Sequence, residues 1–498
     1  MLNETPILHP PLSPTPSTPL RVILLISGSV ALSVVYTSFN YFSFVVEFLQ
    51  NDRIETFRWG STVYFVTAGA LLLPAGRLAD CFGRKQVFSV GIALIVSGVS
   101  LEVVAPNGVI LILGRLLHGT GNAAVLPAGL AILLALVPSN RRSTVLGAYY
   151  SMFGIVLLVV ELFKFPLDPF EWQRDHNSEW IWALTAYLFI GVATLLIVGT
   201  KLKEYRDEET RNPLDVTSMI LAAGAVGAFL FVIPRIQEWG WIDWRTVALL
   251  AIAPPLASLL VYRSARGKSS MLIAKEALNR SVLLANSATV AFALGTGLLY
   301  LGLSEFFVNV GSISIQTEHI SSLMIGAISG LLFLPLWIGK LADRRGHRQY
   351  IFVAGMCILA SSLWLGRVGS EWSTSGWLES HVILNPLAWF GALIIVAVGA
   401  GIGEVSLMGA VVRSFAPRNL SVAVAYHQTF VMLGNAFFSI AVLMLWERVG
   451  IRLASQQAWL FGVAAVAGAV VVALALGVDT RPSRDESALE AGETSELG

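Results

Sequence analysis

The sequence predicts an all-α membrane protein with 14 transmembrane helices in a 6+2+6 arrangement. Three observations predict it. The 498 residues are 55% hydrophobic and 13% charged, with a mean hydropathy of +0.71, a balance foreign to soluble domains. Apolar stretches recur at roughly the 20 residues that a helix needs to cross ~30 Å of hydrocarbon. An eleven-residue motif beginning at Gly76 returns at Gly339, 263 positions downstream. The rest of the composition excludes other classes. A net charge of +1 without a basic face argues against a nucleic-acid partner, and two cysteines, Cys81 and Cys357, imply no disulfide framework.

Residues 1–21 carry Pro6, Pro10, Pro11, Pro14, Pro16 and Pro19, and read as a disordered cytoplasmic tail rather than a signal peptide. An N-terminal six-helix bundle is expected over 22–200, with spans near 22–46, 59–76, 87–106, 108–135, 143–163 and 180–200. Cytoplasmic linkers and two extra central helices, near 214–234 and 246–262, fill 201–280. A C-terminal six-helix bundle follows over 281–478, with spans near 281–308, 320–339, 349–366, 385–411, 420–446 and 457–478. Residues 479–498, rich in Glu, Ser and Gly, read as a second disordered tail. Loop charge supports this order. With both termini cytoplasmic, the inside segments hold 23 of the 33 Lys and Arg, the outside segments nine, and Arg115 lies within a span. The central pair has no counterpart in either set of six and reads as an insertion between duplicated halves.

The motif runs Gly76-Arg-Leu-Ala-Asp80-Cys-Phe-Gly83-Arg84-Lys85-Gln86, and its copy Gly339-Lys-Leu-Ala-Asp343-Arg-Arg-Gly346-His-Arg348-Gln349; six of the eleven positions are identical. Each copy is expected in a short charged gap between two apolar segments. Gly119-x-Gly121 matches Gly399-x-Gly401, and Pro138-Ser-Asn140 matches Pro417-Arg-Asn419. A repeat over so large an offset indicates a duplicated membrane-spanning half. The motif resembles the pattern G-x-L-x-D-R-x-G-R-K of the major facilitator superfamily. The segment Leu111-xxx-Arg115-xx-His118-Gly119-x-Gly121-Asn122-Ala123 is similar to that superfamily's fourth-helix pattern, with His118 where glutamine is usual. The 14-span count resembles the branch dominated by drug/proton antiporters.

Gly76 and Gly83 permit close helix approach and a tight turn. Asp80 can pair with Arg84 and face the positive end of a helix starting on the same side, near Leu420; Asp343 has its symmetric partner near Ser143. Together with Lys85, Gly339, Gly346 and Arg348, these residues are expected to form two conformational locks. Arg115, His118 and Asn122 share one helix face, and a buried arginine needs a partner in the bundle interior. The resemblance associates Arg115 with proton coupling. Glu404, on the half-repeat equivalent of the same helix, is a second candidate for proton coupling or the substrate cavity; Glu305, His427 and Gln428 are further ones. Tyr36, Tyr149, Tyr150, Tyr300, Tyr426 and Trp364 could stack on a flat ligand.

The chain has no strand followed by a Gly-rich phosphate loop, so no ATP site is expected, and no Cys/His cluster has metal spacing. Cofactors and enzymatic activity are not expected. The resemblance implies a monomeric secondary active transporter in the plasma or inner membrane, exporting lipophilic or amphipathic small molecules in exchange for protons. Two features of the drug-antiporter branch are absent: the Gly-Pro pair of the fifth span, where this chain has Gly147 to Glu161, and a carboxylate in the first, where it has Val35 to Asn40. A carrier of a polar metabolite, siderophore or lipid without proton antiport is therefore the second reading, and a non-transporting receptor or assembly factor the third.

The charge partition makes the loop Lys201 to Arg211 cytoplasmic. A cysteine introduced as Thr210→Cys, with Cys81 and Cys357 replaced, should resist an impermeant maleimide in intact cells and react after permeabilisation. Labelling from outside would overturn the span order.

Overall fold

A backbone amide in hydrocarbon has no water to bond to, so each crossing segment closes its hydrogen bonds within itself, as a helix does. The computed structural model describes residues 54–164, most of 189–200, 214–266, 275–310, 333–374, 386–446 and 453–478, and these are helical, with short turns and no strand among them. The tails, the predicted span 22–46, the linker 201–213 and the first parts of the predicted spans 180–200 and 320–339 lie outside the described residues.

In chain order the helices are α1 (Ile54–Ala70), α2 (Leu72–Phe82), α3 (Arg84–Val103), α4 (Gly108–Ala135), α5 (Arg142–Lys164), α6 (Val216–Trp239) and α7 (Trp244–Ala265). They continue as α8 (Arg280–Val310), α9 (Leu334–Arg345), α10 (Arg348–Thr374), α11 (Pro386–Arg413), α12 (Leu420–Trp446) and α13 (Leu453–Ala475). Among the described residues, α3, α4, α6, α7, α8, α10 and α11 contain segments long and apolar enough to cross a membrane. The pair α1–α2, bent by 45° at Leu71, adds another.

Three elements differ from the sequence reading. The motif copies are not gaps: Gly76 to Phe82 and Gly339 to Arg345 are helical, the ends of α2 and α9. A helix does not stop where its side chains become polar; it stops where the backbone turns. Here the turns fall at Gly83, with φ 112°, and Gly346, with φ 81°, which glycine adopts without Cβ strain. The single span predicted at 59–76 is the broken pair α1–α2. Arg235, one residue past the end of the predicted span 214–234, lies inside α6 with 2% exposure.

Helices α3 and α4 form the most extensive antiparallel pair, and glycines set their distance. A Cβ on Gly98 would stand 2.6 Å from the Gly114 carbonyl and 2.7 Å from the His118 nitrogen; one on Gly121 would stand 2.6 Å from the Gly91 carbonyl. Backbone packs directly on backbone there, as it must in lipid, where association rests on close contact rather than on a hydrophobic driving force. The hairpin α6–α7 is not symmetric in its packing. Helix α6 lies against both α1 and α12, through Leu230 on Gly69 and Phe229 on Phe437 at 5.7 Å. Arg235 fixes the α1 side, with Nη1 2.7 Å from Glu238 and its guanidinium 3.6 Å above the Trp59 ring. Helix α7 turns most of its surface outward. Asp215, capping α6, pairs with Arg263 of α7 at 3.2 Å.

Because the atoms facing Gly98 belong to backbone, Gly98→Leu should cost about 3 kcal/mol, the upper part of the usual overpacking range. A thermal melt of the detergent-solubilised protein should show a clearly lowered midpoint. Gly462→Leu, which meets nothing within 4 Å, should leave the midpoint unchanged.

Candidate functional site

The glycine contact between α3 and α4 brings polar side chains together inside the bundle. Glu102, on the last turn of α3, points back toward the start of its helix, as helical side chains do. There it meets α4: its Oε1 is 3.1 Å from His118 Nδ1 and its Oε2 is 3.7 Å from Arg115 Nε. Arg115 and Glu102 are 5% and 3% exposed, and His118 is fully buried. On the other side of His118, the Tyr64 ring of α1 packs edge-on at 5.0 Å, and the Tyr64 hydroxyl accepts from the Asn122 amide. Arg115, His118 and Asn122 thus share a face and one cluster. Glu102 is the member that sequence reasoning missed, since an acid near a predicted span end reads as interfacial. A usable signal existed: Gly91 and Gly98 precede it at seven-residue spacing, matching Gly114 and Gly121 on α4.

By helix rise, Glu102 lies about 27 Å along α3 from Arg84 and Arg115 about 10 Å into α4 from its opposite end, so both estimates put the cluster far from the face that bears the motif. Removing one partner of such a buried pair strands a charge, at a cost of about 3–5 kcal/mol.

Glu404 stands apart from this cluster. No salt bridge joins it to Arg115 or to any cation among the described residues. Its neighbours are phenols: it interacts with the Tyr150 hydroxyl and lies close enough to Tyr149 and Tyr300 for its charge to act on them. Tyr149 and Tyr150 belong to α5 and their rings are 5.0 Å apart; Tyr150 Oη is also 3.4 Å from the Met408 sulfur on α11. Glu404 and these tyrosines therefore meet across α5, α8 and α11. His427 of α12 is buried against Asn286 of α8, with Nδ1 3.2 Å from Oδ1; Gln428 beside it is buried, and the Tyr426 hydroxyl donates to the Ala277 carbonyl at 3.5 Å. Glu305 falls in α8, and its side chain lies outside the described residues.

On the motif face, two aspartates reach the N-termini of helices in the opposite half, where unpaired N–H groups and the helix dipole favour an anion. Asp80 accepts from the Ser421 and Val422 nitrogens of α12 at 3.3 and 3.1 Å. Arg84 pairs with Asp80 at 3.0 Å and donates to the Pro417 carbonyl at 2.7 Å. Asp343 accepts from the Ser143 and Thr144 nitrogens of α5 at 2.9 and 2.8 Å, and from the Thr144 hydroxyl at 2.7 Å. Gly76 and Gly339 make room: a Cβ on Gly76 would stand 2.8 Å from the Ser421 carbonyl, and one on Gly339 would collide with that of Ser143. The copies are not equivalent. His347 takes the place of Arg84 and sits fully buried 3.3 Å from the Ser143 hydroxyl; burial, aided by the Arg413 charge, pushes its pKa down to about 3. It is therefore neutral here, and opening this contact to water would let it take up a proton near its ordinary 6.5. Lys85 is half-buried and Arg348 exposed, and neither forms a salt bridge to the aspartate of its own copy.

The family model for the Major Facilitator Superfamily matches residues 28–160 and 287–497. An MFS-type transporter of Mycobacterium tuberculosis, EfpA, is 32% identical over 213 residues, which cover 42% of this chain and 38% of that relative. This chain thus spans little more than a third of that relative's length. A Multidrug resistance protein B homolog of the same organism is 24% identical over 402 residues, 80% of this chain and 70% of that protein. Among solved structures, the human organic anion transporter MFSD10 shares the fold at a TM-score of 0.59 and 13% identity, over 92% of this chain and 98% of that one.

The aspartate contacts carry a direct expectation. Charge-assisted hydrogen bonds contribute about 1.5–3 kcal/mol each, so Asp80→Asn should loosen the contact with α12 while the protein still inserts. Cysteines placed along α5 and α11 should then react faster from the motif face. Unchanged reactivity would reduce Asp80 to a topology residue.

Proposed function

This chain belongs to the Major Facilitator Superfamily, and on that premise we propose that it is a secondary active exporter of lipophilic or amphipathic small molecules, driven by protons. It works by alternating access as a monomer of 14 spans in a 6+2+6 arrangement, with both termini cytoplasmic in the plasma or inner membrane. The motif face is then the cytoplasmic one, held shut in this conformation by the Asp80 and Asp343 contacts. One observation carries the reading: a carboxylate, a guanidinium and an imidazole sealed together in the bundle, beyond a closed pair of contacts. Ionisable groups at that depth are costly and are kept where they serve a transport pathway. The relative named as a Multidrug resistance protein B homolog supports the export of drug-like molecules.

In this reading Glu404 and Tyr149, Tyr150 and Tyr300 form the wall that meets the substrate. The aromatic faces stack on a flat apolar body, and the carboxylate selects those that carry positive charge. His427 and Gln428 lie deeper, in the C-terminal half. The absence of a first-span carboxylate keeps a second reading, a carrier of a polar metabolite, siderophore or lipid without proton antiport.

Reconstituted protein decides between them. An imposed pH gradient should accelerate ethidium flux across proteoliposomes, and Glu404→Gln should weaken its half-saturation about tenfold, the loss of one charge-assisted contact. Flux indifferent to the gradient would favour the second reading, and unaltered half-saturation would remove Glu404 from the substrate wall.

A further inference from the structure

We propose that the hairpin α6–α7 travels with helices α1–α5 as one body and lets α12 slide beneath it, so that the seam between α1 and α12 stays covered from the lipid while the two sets of helices change their tilt. The proposal rests on the alternating-access reading above and gives the hairpin its part in it.

The seam has a marked centre. A Cβ on Gly69 of α1 would collide with the Leu230 side chain of α6 and stand 3.9 Å from Met432 of α12. Three helices therefore converge on one glycine, and Leu230 fills the notch that its missing side chain leaves. Gly227, three residues earlier on α6, repeats the device: a Cβ there would stand 3.3 Å from that of Ala70 on α1. Small residues at a helix contact let backbones approach closely, which is the tightest packing that lipid surroundings allow.

The two sides of α6 differ in kind. Toward α1 it presents Arg235, whose guanidinium lies 3.6 Å above the Trp59 ring with Nη2 3.5 Å from the Thr62 hydroxyl. Pulling α6 off α1 would hand that guanidinium to hydrocarbon, which is expensive. Toward α12 the described contacts are apolar. The Phe229 and Phe437 rings are 5.7 Å apart, and Ala436 of α12 belongs to the buried cluster of Val232, Ile233 and Ile236. An apolar contact given up in a bilayer is exchanged for lipid tails that are just as apolar, so sliding along α12 costs little. The costlier attachment decides which helices the hairpin follows.

The hairpin is also a unit in itself. Asp215 caps α6 and pairs with Arg263 of α7 at 3.2 Å, which ties the two helices together at the motif-face end. Helix α6 lies against α1, α2 and α12, and α7 turns most of its surface outward. When Asp80 leaves the start of α12, the gap that opens between α2 and α12 therefore opens beneath α6 rather than into the lipid. The insertion occurs once in the sequence, so the duplicated contact at Asp343 has no second copy of it.

The test uses the full chain in lipid vesicles, with Cys81 and Cys357 replaced and cysteines introduced in pairs. Gly227→Cys and Ala70→Cys stand near the Cβ separation of a disulfide, and closing that bridge between α6 and α1 should leave ethidium flux within about twofold. Bridging Phe229→Cys to Phe437→Cys with a short bifunctional methanethiosulfonate should lower flux at least about tenfold, and a reductant should restore it. Flux lost on closing the first bridge, or kept with the second closed, would overturn the assignment. Flux that ignores a pH gradient yet obeys this pattern would sink the proton-driven reading and leave the hairpin's role standing. Where a cysteine pair carries no ethidium flux before bridging, spin-label distances decide. Nitroxides at the exposed positions Ile220 of α6, Val90 of α3 and Val353 of α10 are compared between the native chain and Asp80→Asn. The Val90–Val353 and Ile220–Val353 distances should lengthen together while Ile220–Val90 stays fixed. A changed Ile220–Val90 distance would detach the hairpin from α1–α5, and three unchanged distances would overturn the hairpin's role together with alternating access.

Discussion

A charge held inside a bilayer needs a fixed counter-charge within a few ångströms, and the glycine contact between α3 and α4 meets that need here. Coulomb attraction falls with distance and is worth several-fold more in a dry interior than in water. Gly98 and Gly114 bring the two backbones close enough for the short side chain of Glu102 to reach Arg115 and His118. A side chain at either glycine would push the helices apart and strand the arginine. The same device returns on the motif face, where Gly76 and Gly339 clear the ground on which Asp80 and Asp343 meet the opposing helix starts. Small residues set the spacing, and the charges act because of it.

The two aspartate contacts join opposite halves through backbone N–H groups, which water can also satisfy. Such contacts are stabilising while dry and separable once wet. Their difference in make-up follows one substitution between the copies. Arg84 gives the first contact a permanent cation, whereas His347 gives the second a buried imidazole that is neutral in the closed arrangement. Acid on that face therefore acts on the second contact through His347: its contribution is complete above the ordinary histidine range and declines as the pH falls toward about 3.

The hairpin α6–α7 packs on the bundle through α6 and turns most of α7 outward. Arg235, stacked on Trp59 and paired with Glu238, and Leu230, lying on Gly69, anchor α6 to α1, while Phe229 reaches α12. Helix α6 thus touches α12, whose start accepts the Asp80 contact, and α1, which continues through the bend at Leu71 into the α2 that carries Asp80.

The sequence by itself determined the membrane class, the helical character of the described region though not where every helix ends or breaks, and the identity of the repeated residues. These are legible because hydropathy and a duplicated motif are properties of neighbouring positions. It also singled out Asp80, Asp343 and the helix starts near Leu420 and Ser143, since the duplication pairs them by symmetry. Arg115, His118 and Asn122 were legible as one face through their helical spacing. What tertiary structure alone decided is which partner each charge finds. Glu102 meets Arg115 and His118, and Arg235 is buried against Trp59, because of how far each helix is rotated and slid along its neighbour. Glu404 keeps phenols for company for the same reason. Rotation and axial register are set by the packing of distant segments, and a one-dimensional pattern of apolar residues, nearly uniform around a helix in lipid, does not encode them.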